Sequence, residues 1–253
     1  PLSALEAALQ RVPGSYYLAY NLWHRRALSV AKDLHAKHEF DLSHLVNIVS
    51  FREPGYLWKL PIPFVWGPVG GTQNLSAAFL GVLNWRDAAK ESVRSWLNQL
   101  QLRFGRRPKH AGRSAAALIA ANSTIERDLF RAWGVHSERQ IEVGATEIVA
   151  WPARTSERDG ELHILWVGHV APAKALRLLI AALAKLPRSV PWRLRVVGDG
   201  TVLKRCQQQA VAASIQQRIE WLGWQPRADV LRHYAWADVF AFTSLRDTTG
   251  TVV

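Results

Sequence analysis

Four strand–turn–helix units follow one another in the second half of the sequence, and this regularity constrains the fold more than any other feature. Each unit begins with a short apolar run, turns at glycine or polar residues, and continues with apolar residues at helical spacing. The apolar runs span residues 162–167, 193–197, 219–222 and 239–243. Parallel neighbours in a sheet need a crossover connection, so this alternation predicts an α/β fold built on a parallel sheet. The sequence ends where a fourth helix is expected.

The first half mixes helical and strand patterns less regularly. Apolar periodicity predicts helices over residues 1–11, 16–37 and 84–104. Short apolar runs predict strands over residues 41–49, 61–66 and 115–121. A further helix is expected after Asn122, where Ser123 and Glu126 have the spacing of a capping box. In the helix 84–104 the apolar residues share one side, and they are Trp85, Ala89, Val93, Trp96, Leu97, Leu100 and Phe104.

The segment between the two halves has the composition of a linker. Residues 150–160 contain Pro, Gly and charged residues without periodicity, which is typical of an interdomain connection. The sequence therefore predicts a first domain over residues 1–150, a linker over 151–160 and a second domain over 161–253. Because the chain begins at Pro1 and contains no Met, we expect it to be part of a longer protein.

The composition limits the classes of protein to which the chain can belong. With 253 residues, of which 49% are hydrophobic, it is too apolar for a disordered protein. Cys206 is the single cysteine, so no internal disulfide forms, and a reducing compartment such as the cytoplasm is expected. No apolar run approaches the roughly 20 residues that span a bilayer.

Positive charge is concentrated in one segment. The chain carries a net charge of +12, and residues 81–113 hold eight basic and two acidic side chains, a net of +6. Such a segment suits an anionic membrane surface or another polyanion. The alternative is a solvated helix with pairs such as Asp87–Lys90 and Glu91–Arg94, although the stretch from Arg103 onward offers no nearby acid. No nucleic-acid recognition motif accompanies the charge, so nucleic acid is not expected as a partner.

The loops that follow the four strands of the second half are the expected ligand site. Ligands bind to open parallel sheets at the carboxyl ends of the strands, which here lead into residues 168–174, 198–200, 223–224 and 244–250. Glycines in such loops let backbone amides approach a phosphate, although each glycine alone also fits a tight turn. Leu203 stands where the dinucleotide fingerprint needs its third glycine, and no P-loop or zinc-ligand spacing is present.

Taken together, four motifs resemble the nucleotide-sugar-binding domain of the retaining group 1 glycosyltransferases. The motifs span residues 164–176, 196–200, 219–223 and 237–253. The first half, with His44, residues 52–54 and residues 63–71, is similar to the acceptor domain of that family. The resemblance implies the GT-B architecture, with two Rossmann-like parallel-sheet domains that are both incomplete here.

The resemblance also implies roles for residues of the second half. The family pairs an arginine and a lysine on the donor diphosphate; Lys174 matches the lysine, whereas His169, after Gly168, replaces the arginine. Arginine is permanently charged but imidazole titrates near neutral pH, so donor binding is expected to be weaker and pH-dependent. Asp247 matches the first of two acidic residues and would bind sugar hydroxyls, with a helix N-cap as the alternative. The remaining donor-binding candidates are Gly198, Asp199, Gly200, Trp224, Gly250 and Thr251.

In the first half, the resemblance implies an acceptor-side histidine and a glycine loop. His44 matches the histidine approximately, although a lone histidine in an apolar strand is more often a core residue. Gly70 and Gly71 would let a loop approach the donor or the acceptor. Arg52 and Glu53 are rival candidates, or a surface ion pair of little energetic value.

The implied activity is transfer of a sugar from a nucleoside-diphosphate sugar to a hydroxyl acceptor, with retention and without a metal or other cofactor. The acceptor would be a glycan or lipid-linked, and residues 81–113 would touch the inner face of an anionic membrane. The second acidic residue of the family would fall beyond Val253, so the chain alone is expected to have little activity. The alternatives are a nucleotide-sugar epimerase, a phosphorylase, an inactive fragment and a basic binding module.

Overall fold

The computed structural model describes residues 15–46, 49–144 and 160–248, together with Ser3, Ala8 and Val12. These residues form two compact units, one of residues 1–74 with 93–144 and the other of residues 75–92 with 145–253. The predicted helix over residues 1–11 lies almost wholly outside the described residues, as does nearly all of the predicted linker. The domain limits near residues 150 and 160 therefore stay a prediction, while residues 75–92 pack with the second unit.

The first unit is built on a parallel sheet whose strands follow chain order. The strands are β1 (Ser43–Leu45), β2 (Phe64–Val69), β3 (Ala117–Ala120) and β4 (Glu138–Arg139). The helices of this part of the chain are α1 (Tyr16–His38), α2 (Trp85–Phe104), α3 (Arg106–Ser114) and α4 (Ser123–Trp133). Helix α3 and strand β4 are not predicted by the sequence pattern, and β2 ends three residues later than predicted. Gly67 and Pro68 belong to β2. A Cβ at residue 67 would lie 2.4 Å from the Ile119 carbonyl oxygen on β3, so glycine allows the two strands to approach at this point.

A pair of stacked tryptophans forms the centre of the first unit. The rings of Trp66 on β2 and Trp133 on α4 lie 5.8 Å apart and nearly parallel, and both side chains are buried. The indole Nε1 of Trp133 donates to the Leu102 carbonyl at 2.8 Å, which satisfies the one polar atom of that ring. A Cβ at Gly112 would lie 2.8 Å from the Trp133 ring, so α3 approaches the pair closely because residue 112 is glycine.

The start of α4 differs from the predicted capping box. The Asn122 side-chain oxygen accepts from the Thr124 and Ile125 amides, both at 3.1 Å, so Asn122 is the N-cap. Glu126, the predicted capping-box partner, instead pairs with Arg139 at 3.1 Å. The helix ends at Gly134, which has φ +69° and a left-handed conformation suited to glycine.

Helix α2 turns its apolar side outward. Trp85, Trp96 and Phe104 are 76%, 62% and 66% exposed, and Val93 and Leu97 on the same side are exposed as well. The buried side holds Asn98, which is completely covered and donates to the Thr72 carbonyl at 2.8 Å. The apolar side found in the sequence is therefore not part of the core of the described residues.

The second unit contains a parallel sheet with the strand order β7-β6-β5-β8. Its strands are β5 (Leu162–Val167), β6 (Trp192–Val197), β7 (Ile219–Gly223) and β8 (Val239–Phe240), connected by α5 (Leu176–Leu183), α6 (Leu203–Ala212) and α7 (Arg227–Trp236). The predicted α/β class with two Rossmann-like parallel sheets is confirmed. Strand β8 is shorter than the predicted 239–243, because pairing with β5 stops at Phe240.

The strand order places a topological switch point beside β5. The chain builds outward from β5 through β6 to β7, and then returns to add β8 on the opposite edge of β5. The helical connections on the two sides of β5 therefore diverge and leave a crevice at its carboxyl end. Buried side chains of β5 and β6, including Leu165, Leu194 and Val196, anchor this crevice on a rigid core.

Candidate functional site

Two adjoining recesses lie at the carboxyl ends of the strands of the second unit. The smaller, about 210 Å³, follows β5 and β8 and is lined by Trp166, Val167, Gly168, His169, Lys174, Phe242, Thr243, Ser244 and Asp247. The larger, about 620 Å³, follows β5, β6 and β7 and is lined by Val167, Gly168, His169, Val197, Gly198, Asp199, Gly200, Thr201, Trp224, Gln225 and Val230. Because Val167, Gly168 and His169 line both recesses, the predicted donor-binding residues that the structure describes in this unit share one edge of the sheet.

Lys174 and Asp247 form an ion pair at the switch point. The Lys174 ammonium contacts Asp247 Oδ2, and Asp247 Oδ1 accepts from the Thr248 amide at 3.1 Å. Both side chains are partly exposed, at 32% and 24%, so solvent and ligands reach them. The alternative role of Asp247 as a helix N-cap involves residues after Thr248. These residues, Gly250 and Thr251 among them, lie outside the described residues.

The loops that carry Lys174 and Asp247 are joined by backbone and side-chain hydrogen bonds. The Thr243 hydroxyl donates to the Lys174 carbonyl at 2.7 Å and accepts from Trp166 Nε1 at 3.0 Å. The Leu245 amide donates to the Ala173 carbonyl at 2.8 Å. These contacts hold the two loops at a fixed separation, so the ion pair belongs to a preorganised site.

The glycines of the larger recess are explained by contact between two loops. A Cβ at Gly198, which has φ +131°, would lie 1.9 Å from the Gly168 carbonyl oxygen. A Cβ at Gly200 would lie 2.4 Å from the Val170 carbonyl oxygen. The Val170 amide donates to the Asp199 carbonyl at 2.9 Å across the same contact. Residues 168–170 and 198–200 are therefore packed backbone against backbone, which only glycine allows at these positions.

Three side chains with polar or aromatic groups line the recesses beside this glycine contact. His169 is exposed and lines both. Asp199 accepts from the Gly200 amide at 2.6 Å. Trp224 is 76% exposed and lies at the wall formed by the end of β7. An indole with an open face offers a stacking surface for a planar ring.

In the first unit the structure places His44 and the glycine loop at β1 and β2. The His44 side chain is exposed, while Ser43 and Leu45 on either side are buried. Its Nε2 lies 2.9 Å from the Gly67 carbonyl oxygen. The Gly70 carbonyl accepts from the Phe51 amide at 3.0 Å, and Gly71 has φ +83°. His44 is therefore a surface residue of the sheet and not a core histidine.

The interpretation of Arg52 and Glu53 as a surface ion pair is wrong. Glu53 is only 1% exposed and pairs with Arg107, with 2.6 Å between Arg107 Nη2 and Glu53 Oε2. Burial raises the pKa of Glu53, and the Arg107 charge opposes that rise. The Arg52 guanidinium instead contacts the side chains of Asn98 and Gln101.

One of the pairs predicted within the basic segment is not formed among the described residues. Asp87 pairs with Arg205 at 3.5 Å instead of with Lys90, and Glu91 pairs with Arg246 at 3.2 Å. Asp87 and Glu91 are themselves residues of the second unit, and both pairs lie within it. Arg86, Lys90 and Arg103 are exposed beside the apolar side of α2.

No group of three or more His, Cys, Asp or Glu side chains in residues 15–46, 49–144 and 160–248 is arranged to hold a metal ion. No helix within these ranges is long and apolar enough to cross a membrane.

The second unit is a Rossmann-like α/β domain with a crevice at its switch point. Residues 148–253 match the family described as glycosyl transferases group 1. The resemblance inferred from the motifs of the second half is therefore confirmed over these residues, which are similar to that family.

Parts of this chain are similar in sequence to two curated glycosyltransferases. The chain is 30% identical over 178 residues to D-inositol 3-phosphate glycosyltransferase of Kineococcus radiotolerans, covering 58% of this chain and 41% of that protein. It is 34% identical over 71 residues to lipopolysaccharide 1,6-galactosyltransferase of Salmonella typhimurium, covering 27% of this chain and 19% of that protein. The chain therefore spans less than half the length of these relatives.

Solved structures support the fold. The lipopolysaccharide outer core galactosyltransferase WaaB, without ligand, superimposes with a TM-score of 0.58 at 17% identity, over 88% of this chain and 55% of that one. Anabaena HepE in complex with UDP and glucose gives a TM-score of 0.51 at 20% identity, over 85% of this chain and 56% of that one. Because both sequence identities are below 25%, these two similarities support the fold of this chain and not its activity.

Proposed function

We propose that this protein transfers a sugar from a nucleoside-diphosphate sugar to a hydroxyl acceptor, with retention at the anomeric carbon and without a metal ion. The observation that carries the proposal is the meeting of Lys174, His169 and Asp247 in one recess at the switch point of the second unit. A departing diphosphate needs positive charge, and a sugar needs a hydrogen-bond acceptor for its hydroxyls. The recess offers both beside each other.

Lys174 and His169 would stabilise the diphosphate as the glycosidic bond to it breaks. The Lys174 ammonium sits on loops that hydrogen bonds hold in place, so little reorganisation is needed when charge develops on the leaving group. His169 stands between the two recesses and would bridge the phosphates to the nucleoside. Gly250 and Thr251 would add backbone amides at the following helix.

The larger recess would hold the nucleoside. Its glycine frame at Gly198 and Gly200 brings backbone groups to the surface, with Asp199 between them, and Trp224 provides a stacking face. The fold shared with HepE, whose structure contains UDP and glucose, supports a nucleotide sugar as the donor. In the first unit, His44 would face the acceptor, and Gly70 and Gly71 would give it access.

Helix α2 supports a peripheral membrane contact at the cytoplasmic face. Trp85, Trp96 and Phe104 are exposed along one side of this helix. The Arg86 guanidinium lies 5.2 Å from the Trp85 ring, and Arg103 lies 5.7 Å from the Phe104 ring. Aromatic side chains with adjacent cations suit the interface of an anionic bilayer. The acceptor would then be a lipid-linked molecule or a glycan on that membrane.

The test of the donor site is calorimetric titration with UDP. Wild-type protein should bind UDP, and Lys174→Ala should weaken binding about tenfold, because a charge-assisted contact to phosphate is lost. Lys204→Ala, an exposed lysine on α6, makes the same change outside the recess and should leave binding unchanged. If Lys174→Ala binds UDP as tightly as wild type, the proposed donor site is wrong. Proton NMR of the first product formed from an α-linked donor then tests retention.

The membrane contact is tested separately with lipid vesicles. Wild-type protein should sediment with vesicles rich in phosphatidylglycerol and not with pure phosphatidylcholine. The double variant Trp96→Ser/Phe104→Ser should lose sedimentation, while Val211→Ser, a 58% exposed apolar residue on α6, should keep it. Equal sedimentation of both variants would refute a role for α2.

A further inference from the structure

A group of cations surrounds Tyr56 in the first unit, apart from the site described above. The Tyr56 hydroxyl receives hydrogen bonds from Arg107 Nη1 at 2.9 Å and from Arg25 Nε at 3.3 Å. Asn21 Nδ2 lies 3.1 Å from the same oxygen. The Lys59 ammonium lies 5.1 Å from the centre of the Tyr56 ring. Three cations from α1, α3 and the loop after β1 therefore converge on one side chain.

The negative charge beside these cations is insufficient to balance them. Among the described residues, Glu53 is the carboxylate that contacts this group of cations, and its partner is Arg107. In the described part of the chain, Arg25 and Lys59 contact no carboxylate; Arg25 meets Tyr56, and Lys59 meets the rings of Tyr56 and Trp58. Three cations against one carboxylate leave a local excess of positive charge.

The titratable neighbours do not reduce this excess. His24 is buried against the same loop, and burial followed by the Arg107 charge lowers its pKa to about 4, so it is neutral near pH 7. Burial raises the pKa of Tyr56, but the hydrogen bonds from Arg25 and Arg107 outweigh that effect and lower its pKa below the ordinary value. The surroundings therefore favour negative charge at the Tyr56 hydroxyl.

The cations are also accessible. Arg25 and Lys59 are exposed, and the Arg107 side chain is 26% exposed while Tyr56 beneath them is buried. A guanidinium presents several N–H groups in a plane that matches phosphate oxygens, and one hydroxyl contact leaves most of them unused on Arg25. The cluster thus combines unused donors, excess charge and a rigid base.

We propose that Arg25, Lys59 and Arg107 bind a phosphate group carried by the acceptor substrate. This inference rests on the proposed function, because it assigns the chemistry of the acceptor to the unit that lacks the donor site. The phosphate would receive hydrogen bonds from the two guanidinium groups, and the Lys59 ammonium would add charge from the edge of the cluster. Glu53 would keep Arg107 in place from beneath.

The experiment is calorimetric titration of the 253-residue chain with glycerol 3-phosphate and with inorganic phosphate. Arg25→Gln/Lys59→Gln should weaken binding of these probes by about a hundredfold, about tenfold for each cation that is removed. Lys32→Gln/Lys37→Gln removes two exposed lysines from α1 and is the matched control for net charge; it should bind like wild type. Arg107 is left intact in this test because its loss would leave Glu53 buried and unpaired.

Parallel titrations identify the source of the phosphate. If vesicles containing phosphatidic acid bind wild type and the control but not Arg25→Gln/Lys59→Gln, the phosphate belongs to a lipid headgroup. If only the soluble probes show this difference, it belongs to a soluble acceptor. Equal binding by all three proteins overturns the proposal, as does a wild type that binds neither the soluble probes at about 10 mM nor these vesicles. UDP titration of the same samples keeps the donor site separate: its failure would refute the proposed function and not the phosphate site.

Discussion

Asp247→Asn should tighten the binding of UDP, although it removes a residue assigned to the donor site. In the resting protein Asp247 neutralises Lys174, and its carboxylate also repels the phosphates that Lys174 would bind. Asparagine has nearly the same size and keeps an oxygen for the Thr248 amide. The substitution therefore changes charge with little change in shape.

The expected size of the change in UDP affinity follows from how exposed the Lys174–Asp247 ion pair is. Both side chains are about one-quarter to one-third exposed, so an effective dielectric constant of about 60 is appropriate, between the surface of a protein and bulk water. A carboxylate about 5 Å from one phosphate charge then contributes about 1 kcal/mol of repulsion. Relief of that repulsion lowers the dissociation constant of UDP about fivefold, and salt reduces the gain.

The assay is calorimetric titration with UDP at low and at moderate ionic strength. Asp33→Asn, which makes the same substitution at an exposed position of α1 in the other unit, controls for net charge and should bind like wild type. Unchanged or weaker UDP binding by Asp247→Asn would refute the reasoning, because it would mean that the diphosphate does not lie beside the Lys174–Asp247 pair.

Three further outcomes are expected. His169→Arg should tighten UDP binding about tenfold, measured by calorimetry, because a guanidinium is permanently charged and binds phosphate through two donors. Gly198→Ala should destabilise the second unit by about 3 kcal/mol, measured by denaturant unfolding, because its Cβ would overlap the Gly168 carbonyl oxygen and its φ is +131°. His24 has a folded pKa of about 4 against 6.5, so the unfolded chain binds the extra proton first. As pH falls from about 6.5 to about 4, this residue should lower the free energy of unfolding by up to about 3 kcal/mol, and His24→Gln should lose that part of the pH dependence.

The regular half of the fold is the part that sequence predicts well. Each strand and helix of the second unit arises from local periodicity and turn residues, so a short window contains the needed information. Because ligands bind at the carboxyl ends of parallel strands, the sequence alone predicts that Lys174 and Asp247 lie at the same edge of the sheet. This prediction does not depend on the strand order. The strand order itself, with β8 beside β5, depends on long-range pairing that no window contains.

Helix α2 shows what local pattern leaves undetermined. Periodicity establishes that Trp85, Trp96 and Phe104 share a side, but the side that packs inward depends on the partners that the rest of the chain supplies. Here the partners are polar: Asn98 is buried because the Thr72 carbonyl, Asn74 and Arg52 satisfy its amide. In the same way, the pairing of Glu53 with Arg107 joins residues far apart in sequence, so a local search for ion pairs finds the wrong partner.

The contact between residues 168–170 and 198–200 restricts how a protein of this kind diversifies. Because two carbonyl oxygens occupy the space of the missing Cβ atoms, a substitution of either Gly198 or Gly200 disturbs both loops. Variation in ligand preference is therefore confined to side chains that point away from the contact, such as His169, Thr201 and Trp224. His169→Arg would therefore change the affinity for phosphate on an unchanged backbone.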